Sequence, residues 1–301
     1  MKIGFVVYLG ENEDLNRAPR YPEIRRMAQA VEEAGLDSIW LYDHLLFRWN
    51  GQPTIGTWES WTMLSALAET TQRVELGSLV LCNPFRNPAI LAKMAVTLDE
   101  VSGGRFILGL GAGWNKAEFD AFGIPFDHRV DRLEEALQIV RPLLKQGHVN
   151  FEGAYYQTQD CEITPSGPRP DGPPLLIGGH GPRMLHLTAQ YGDIWNTDTD
   201  TRPDLLAESI ANLHTACMEV GRDPATLVIT ARVGVAFPDI GKPPGWMKPD
   251  LPDSVEEIAT ALHQYEALGV SHLMFDCGPS NEATLAQLAK ATRLYRGNSQ
   301  S

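Results

Sequence analysis

The 301-residue chain is short of cysteine, of positive charge and of long apolar runs, and each shortage excludes something. Its four cysteines (Cys82, Cys161, Cys217, Cys277) are scattered, with no C-x-x-C pair. That argues against a disulfide framework and a zinc knuckle, and fits a reducing compartment. Lysine and arginine total 25 against 38 aspartates and glutamates, a net charge of −13. A general nucleic-acid surface, which displaces counterions with clustered basic side chains, is therefore not expected. No stretch approaches the roughly 18 apolar residues that mark a membrane span. The apolar run in "MKIGFVVYLGENED" is too short for a signal-peptide core and reads as a first buried strand, so the expected compartment is the cytoplasm. The eight histidines form no His-x-His or His-x-x-x-His pair, and His180 and His186 stand six apart, so no metal site is expected. A Gly-x-Ser-x-Gly elbow, which an α/β-hydrolase needs, is also missing.

A dinucleotide fingerprint is only half present. In "RFILGLGAGW" apolar residues run into Gly109-x-Gly111-x-Gly113. A Rossmann site needs Gly-x-Gly-x-x-Gly, whose third glycine lets helix and strand pack closely. Trp114 occupies that third place. The glycines must serve another architecture.

What is present is a recurring unit: an amphipathic helix, a glycine stop, a short apolar strand. "EIRRMAQAVEEAG" leads to "LDSIWLYD", "ILAKMAVTLDEVSGG" to "RFILGLG", "RMLHLTAQYG" to "DIWNTD" and "EEIATALHQYEALG" to "VSHLMFDCG". Ile24, Met27, Ala28 and Val31 keep the spacing of one helix face, with Gly35 at a C′ position. Strands are expected near 2–8, 37–42, 75–81, 105–110, 174–178, 193–197, 227–236 and 272–277. They are apolar on both faces, as strands covered by helices on one side and a core on the other must be. Eight such units over residues 1–301 predict a single-domain (β/α)8 TIM barrel, with an open doubly wound sheet as the alternative. Three irregular stretches interrupt it. Those after strands 2 and 7 leave C-terminal strand ends, where a barrel keeps its active site, and are expected to be lid or substrate loops. The stretch before strand 5 is expected to form a small hairpin.

Chemistry should then sit at the strand ends. His44 beside Asp43, after strand 2, reads as a donor able to orient or protonate a bound ring, or else as a histidine tied to its loop. "IGGHGPRM" places Gly178, Gly179, His180 and Gly181 between a strand and a helix. Free N–H groups at a helix start make a phosphate site there, to which Arg183 adds charge; the alternative is an ordinary tight turn. Gly111 is a place where a ring can approach backbone, and Cys82 is a packed thiol before it is a nucleophile.

The chain resembles the bacterial luciferase-like superfamily of flavin and deazaflavin (β/α)8 oxidoreductases, essentially end to end. The resemblance rests on "AGLDSIWLYDH", "LGSLVLCNPFRNPAILAKMAVTLDEVSGGRFILGLGAGWNKAEFDAFGIPFDHRVDRLEEAL" and "PLLIGGHGPRMLHLTAQYGDIWN" in that order. It is closest to members using coenzyme F420. It implies that Asp43 and His44 lie against the redox ring, with His44 a proton donor or orienting group. It also implies a non-proline cis peptide at Ser78–Leu79, forming a bulge behind the ring, and a cofactor phosphate held by Gly178, Gly179, His180 and Gly181. Members that oxidise sugar phosphates have a glutamate acid where this chain has Trp114, so that activity is not expected. Trp114 is instead expected to shape an apolar substrate pocket with Phe47 and Trp246, which lie in the two rim insertions; the alternative is that it only packs the rim.

The expected function is hydride transfer between F420 and an unknown small organic substrate. The alternative is an FMN-dependent monooxygenase that uses reduced flavin and O2. A non-catalytic flavin-binding barrel is the reading from another class, and the Asp43–His44 pair speaks against it. No basic track for the F420 polyglutamate tail is evident beyond single residues such as Lys116 and Arg183. The resemblance implies a homodimer; the net charge and the shortage of long apolar runs argue against a nucleic-acid or membrane partner.

Overall fold

A computed structural model describes residues 1–12, 15–49, 51–245 and 247–298. Eight parallel strands close on themselves: β1 (Lys2–Val6), β2 (Ser38–Leu41), β3 (Glu75–Ser78), β4 (Phe106–Gly111), β5 (Leu175–Gly178), β6 (Ile194–Thr197), β7 (Val228–Ala236) and β8 (His272–Gly278). The closure is carried at one seam by Leu108 beside Leu175, and at another by Lys2 beside His272. Helices α1 (Tyr21–Glu33), α2 (Ser60–Thr70) and α3 (Pro88–Ser102) follow the first three strands, and α4 (Lys116–Phe122) and α5 (Arg129–Gln146) follow the fourth. After β5 to β8 come α6 (Pro182–Tyr191), α7 (Pro203–Glu219), α8 (Val255–Ala267) and α9 (Glu282–Asn298). The closed barrel answers the choice between barrel and open sheet. None of these helices is long and apolar enough to cross a membrane.

Local chemistry sets the helix ends. Asn87 accepts from the N–H groups of Ala89 and Ile90, with Pro88 in the first turn, and Gly103 closes α3 in the left-handed region. Gly35 follows α1 with φ +80°, as its C′ position requires.

Strand parity sorts the apolar residues into two cores. Ile39, Leu41, Leu76, Phe106, Leu108, Trp195, Leu273 and Phe275 pack outward under the helices. Val6, Trp40, Leu79, Ile107, Leu176, Ile194 and Met274 fill the barrel's interior. Trp40 is the plug, and two glycines make room for it. A Cβ on Gly77 would lie 2.1 Å from the Trp40 ring, and one on Gly4 would lie 2.7 Å from Trp40 Nε1. Below the plug, Trp40 Nε1 donates to Ser38 Oγ (2.7 Å), which sits 2.6 Å from His272 Nε2. Burial holds His272 down to about 3, so it is neutral there and accepts the Ser38 proton.

The rim insertions are ordered. Leu46–Phe47 pairs antiparallel with Ile55–Gly56 after β2. The hairpin expected before β5 is present as His148–Glu152 against Gln157–Glu162. The segment after β7 folds back over the barrel, where the Asp250 carboxylate accepts from Gly234 N (2.7 Å).

Candidate active site

His44 lies two residues beyond the inward-facing Tyr42, so its ring rises from the same inner face of the barrel. Its Nδ1 is 2.8 Å from Glu118 Oε1, and Glu118 Oε2 accepts from Leu45 N at 2.7 Å. A carboxylate that already accepts a backbone N–H is an acceptor, so Nδ1 carries the proton of this pair. Nε2 then has no partner among the described residues and reaches open space. Glu118 is buried on α4, one position before Phe119, which anchors that short helix in the core. The carboxylate thus fixes both the loop after β2 and the tautomer of the imidazole.

Around His44 stands an aromatic wall. Phe47 lies 4.4 Å from the imidazole, Trp114 meets it edge-on at 5.4 Å, and Trp49 stacks on Trp114 at 6.3 Å. Trp114 is 57% exposed and Trp49 40%, unusually open for such large rings. The wall is therefore a surface available to a planar or apolar ligand. Trp246, grouped with it from the sequence, lies outside the described residues.

Asp43 does not share the mouth with His44. Its two oxygens accept from Arg86 Nη1 and Nη2 (2.7 and 3.0 Å), Ser60 Oγ (2.7 Å) and Cys82 N (2.9 Å). Its side chain is 0% exposed, so in this structure it does not line the open mouth beside His44, where the resemblance had set it against a bound ring. Neighbouring strand residues point to opposite sides, so Asp43 faces the helices when His44 faces the mouth. Cys82 is likewise packed, and burial, helped by Asp43 and Glu118, pushes its thiol well up and away from nucleophilic character.

The cis peptide is at Leu79–Val80, one bond beyond the expected Ser78–Leu79. The shift has a local reason. Leu79 N still donates to Leu41 O (2.8 Å), and Ser78 Oγ bridges Gly109 N and O at 3.0 and 2.9 Å. Ser78 ends the strand and Leu79 is still tied to β2 by its N–H, so the chain departs after them. Val80 then fills the space above three glycines. A Cβ on Gly111 would lie 2.6 Å from Val80 Cγ2, and one on Gly178 would lie 3.0 Å from Val80 Cγ1. Gly111 therefore admits Val80, not a ligand, and the bulge side chain forms the surface that a ring could meet.

At the end of β5, Gly179 has φ +150°, where a side chain would be strained and its Cβ 3.0 Å from Met184. Gly181 begins α6 without a side-chain cap, leaving first-turn N–H groups to an outside acceptor. His180 is exposed, with Nδ1 3.3 Å from Thr199 Oγ1. Arg183 is not part of this cradle. Its guanidinium is held by Asp131 and Glu134 on α5, each at 2.5 Å, because the basic α6 start faces the acidic start of α5. Lys116 is paired with Asp120 at 2.6 Å.

Across the barrel, a polar cluster at the inner ends of β7 and β8 escaped the sequence reading. Arg232 Nε donates to Tyr42 OH (3.0 Å) and Nη2 to Asp276 Oδ2 (2.9 Å); Tyr42 OH donates to the same oxygen (2.8 Å). Burial pulls the Arg232 guanidinium down, but Tyr42 and Asp276 more than offset it and hold it well above its usual value. No group of three or more His, Cys, Asp or Glu side chains gathers as a metal site among the described residues.

Catalytic-type residues at the C-terminal mouth of an eight-stranded barrel define a (β/α)8 enzyme. The particular kind follows from comparison. The model of the luciferase-like monooxygenase family matches residues 1–239, and the chain belongs to that family and is an oxidoreductase of it. It is 30% identical over 242 residues to the 5,10-methylenetetrahydromethanopterin reductase of Archaeoglobus fulgidus, covering 75% of this chain and 68% of that one. It is 36% identical over 211 residues to the pyrimidine monooxygenase RutA of Methylobacterium radiotolerans, covering 64% of this chain and 53% of the relative. The fold matches an F420-dependent secondary alcohol dehydrogenase in complex with an F420-acetone adduct, with TM-score 0.80, 20% identity, and 98% and 99% of the two chains covered. An inactive binding barrel is set aside by the enzymes among these relatives.

The functional residue missed from sequence is Glu118. It lies within the run "GAGWNKAEF", where only Trp114 drew attention. The available signal was an acidic residue beside a core phenylalanine in a short helix of about two turns.

Proposed function

We propose that the chain is an F420-dependent oxidoreductase that moves a hydride between the deazaflavin and a small organic substrate. The observation that carries this is the His44 imidazole, fixed at Nδ1 by Glu118 and open at Nε2, at the same end of the barrel as an anion cradle at the start of α6. The residues present fit such a cofactor. The Val80 bulge offers an apolar face for the ring, and Gly179 and the uncapped first turn of α6 offer N–H groups to its phosphate. The bound deazaflavin supplies the hydride chemistry. The protein's part is to seat the ring, and to take or give a proton at His44 Nε2 as substrate oxygen changes its charge. Phe47, Trp49 and Trp114 exclude water from that side and hold the substrate's apolar part.

The FMN monooxygenase reading is favoured by the likeness to RutA over 211 residues and by the luciferase-like monooxygenase model that the chain matches. Titrating the protein separately with FMN and F420, followed by quenching of tryptophan emission, separates the two. Tighter FMN binding with oxygen consumption on reduction overturns the first reading. Replacing His44 by alanine should cut turnover at least 100-fold while leaving cofactor affinity within threefold. We further propose a cytoplasmic enzyme without nucleic-acid or membrane partners, and a homodimer. Ile90 and Val101 on α3 are exposed beside a groove also lined by Trp61 and Met94 of α2 and α3, an apolar face that a second copy would cover. Light scattering tests the dimer.

A further inference from the structure

We propose that Arg232 is the substrate anchor of this enzyme, and that it selects an uncharged substrate through a carbonyl or hydroxyl oxygen. This deepens the oxidoreductase reading and rests on it. The argument begins with an ion pair in an unusual place. Arg232 and Asp276 point into the barrel above Met274 and Thr230, with side chains only 15% and 4% exposed. Desolvating such a pair is costly, and apolar residues of similar size commonly do as well for stability. Stability alone therefore does not explain it.

The donors and acceptors are only partly used. Tyr42 OH donates to Asp276 and accepts from Arg232, and Asp276 Oδ2 accepts from both partners. Arg232 Nη1 and Asp276 Oδ1 have no hydrogen-bond partner among the described residues, and neither is among the fully buried atoms left without one, so both keep some access to solvent. A fixed guanidinium edge, with two N–H donors, thus faces the mouth. Tyr42 and Asp276 hold it from behind, so little entropy is lost when it binds.

Position sorts substrate from cofactor. In an eight-stranded barrel β7 and β8 stand across from β3 and β4. The Val80 bulge and the cradle at Gly179 lie on the β3–β5 side, the Arg232 edge lies opposite, and His44 rises from β2 between them. A molecule resting on the cofactor face would turn its far side to Arg232 and one flank to His44.

Charge sorts the kind of oxygen. The Arg232 charge is matched by Asp276, and carboxylates at the mouth also include Glu118, against His44, and Asp250, against Gly234. A substrate carboxylate or phosphate would add an unmatched charge to a poorly hydrated floor already rich in carboxylates. A neutral oxygen meets no such cost, and the guanidinium donates to it at full strength.

The test uses benzamide and benzoate, planar probes of one shape that differ in charge, with the cofactor-loaded enzyme and again with the cofactor-free protein. Binding is read by calorimetry and by quenching of the wall tryptophans. Benzamide should bind the wild type at least 10-fold more tightly than benzoate. R232K should weaken benzamide about 10-fold, because lysine has a single nitrogen on a shorter side chain and lacks the fixed fork that faces Asp276 with one nitrogen and the ligand with another. D276N, which keeps hydrogen-bonding capacity but frees the arginine charge, should narrow or reverse the preference. Thermal melts and circular dichroism of both variants check folding, and D276N stands in if R232K fails to fold. Equal binding of the two probes by the wild type, or unchanged benzamide affinity in folded R232K, overturns the proposal. A loss of cofactor affinity in R232K would assign the arginine to the cofactor and overturn it as well. Failure of the wild type to bind F420 or FMN would instead sink the cofactor reading, while the probe comparison on cofactor-free protein still reports on Arg232.

Discussion

Replacing Glu118 by glutamine changes one atom and should disable the site through the imidazole beside it. In the wild type, Oε1 faces His44 Nδ1 at 2.8 Å and Oε2 faces Leu45 N at 2.7 Å and Leu46 N at 3.4 Å. Both contacts require acceptors on Glu118. Glutamine has one acceptor and one donor group. The backbone N–H groups cannot move, so the amide oxygen stays with them and the NH2 turns toward His44. Nδ1 must then become the acceptor, and the ring proton passes to Nε2. The neutral imidazole would present the wrong nitrogen to substrate. Stability should fall by only about 1 kcal/mol, one hydrogen bond exchanged for another, whereas turnover should fall about 100-fold or more, as a lost general acid or base does. Alanine removes every acceptor and strands a buried N–H, so E118A should lose about 2–4 kcal/mol. Steady-state kinetics give the first comparison and urea unfolding the second, with cofactor affinity as the control. E118Q turning over within threefold of wild type, at unchanged cofactor affinity, would refute the assignment of tautomer control to Glu118.

Three further outcomes follow from the packing. His272 is held neutral at about 3 against its ordinary 6.5. Its contribution to stability is therefore complete above pH 6.5 and is lost progressively as pH falls toward 3, because the unfolded state takes up the proton first. Between pH 7.5 and 5 the loss should be about 2 kcal/mol, and urea midpoints should fall accordingly in the wild type but not in H272N. G77A drives a methyl to 2.1 Å from the Trp40 ring. It should cost at least about 1–3 kcal/mol, the usual penalty for overpacking, and a melting temperature within 1 °C of wild type would contradict the plug. R183A should leave cofactor affinity unchanged, since its charge is spent on Asp131 and Glu134, whereas G179A should weaken it; fluorescence titration distinguishes the two.

Much of the barrel was legible because its repeating unit is local. An amphipathic helix, a glycine stop and an apolar strand recur in contiguous residues, so all eight barrel strands can be located from the sequence. His44, Trp114 and the "GGHG" turn stand out for the same reason: each is an unusual residue type at a strand end. What the sequence could not carry is the direction in which each side chain points. Strands apolar on both faces have no alternation to read, so nothing marks Trp40 as the interior plug while Leu41 faces the helices. Asp43 and His44 differ by one pleat, and only the arrival of Arg86 shows which faces the mouth. The cis bond falls at Leu79–Val80, one residue after the Ser78 that is bound to Gly109 across the sheet, and nothing local in the sequence distinguishes the two bonds. Glu118 reaches His44 across 74 residues, and Asp276 reaches Tyr42 across 234. The sequence by itself determined the barrel and its rim, through periodicity that needs no partner. The tertiary structure alone decided which rim residues meet, because closing the barrel brings β2 beside β3 at one edge and, through β1, near β7 and β8 at the other.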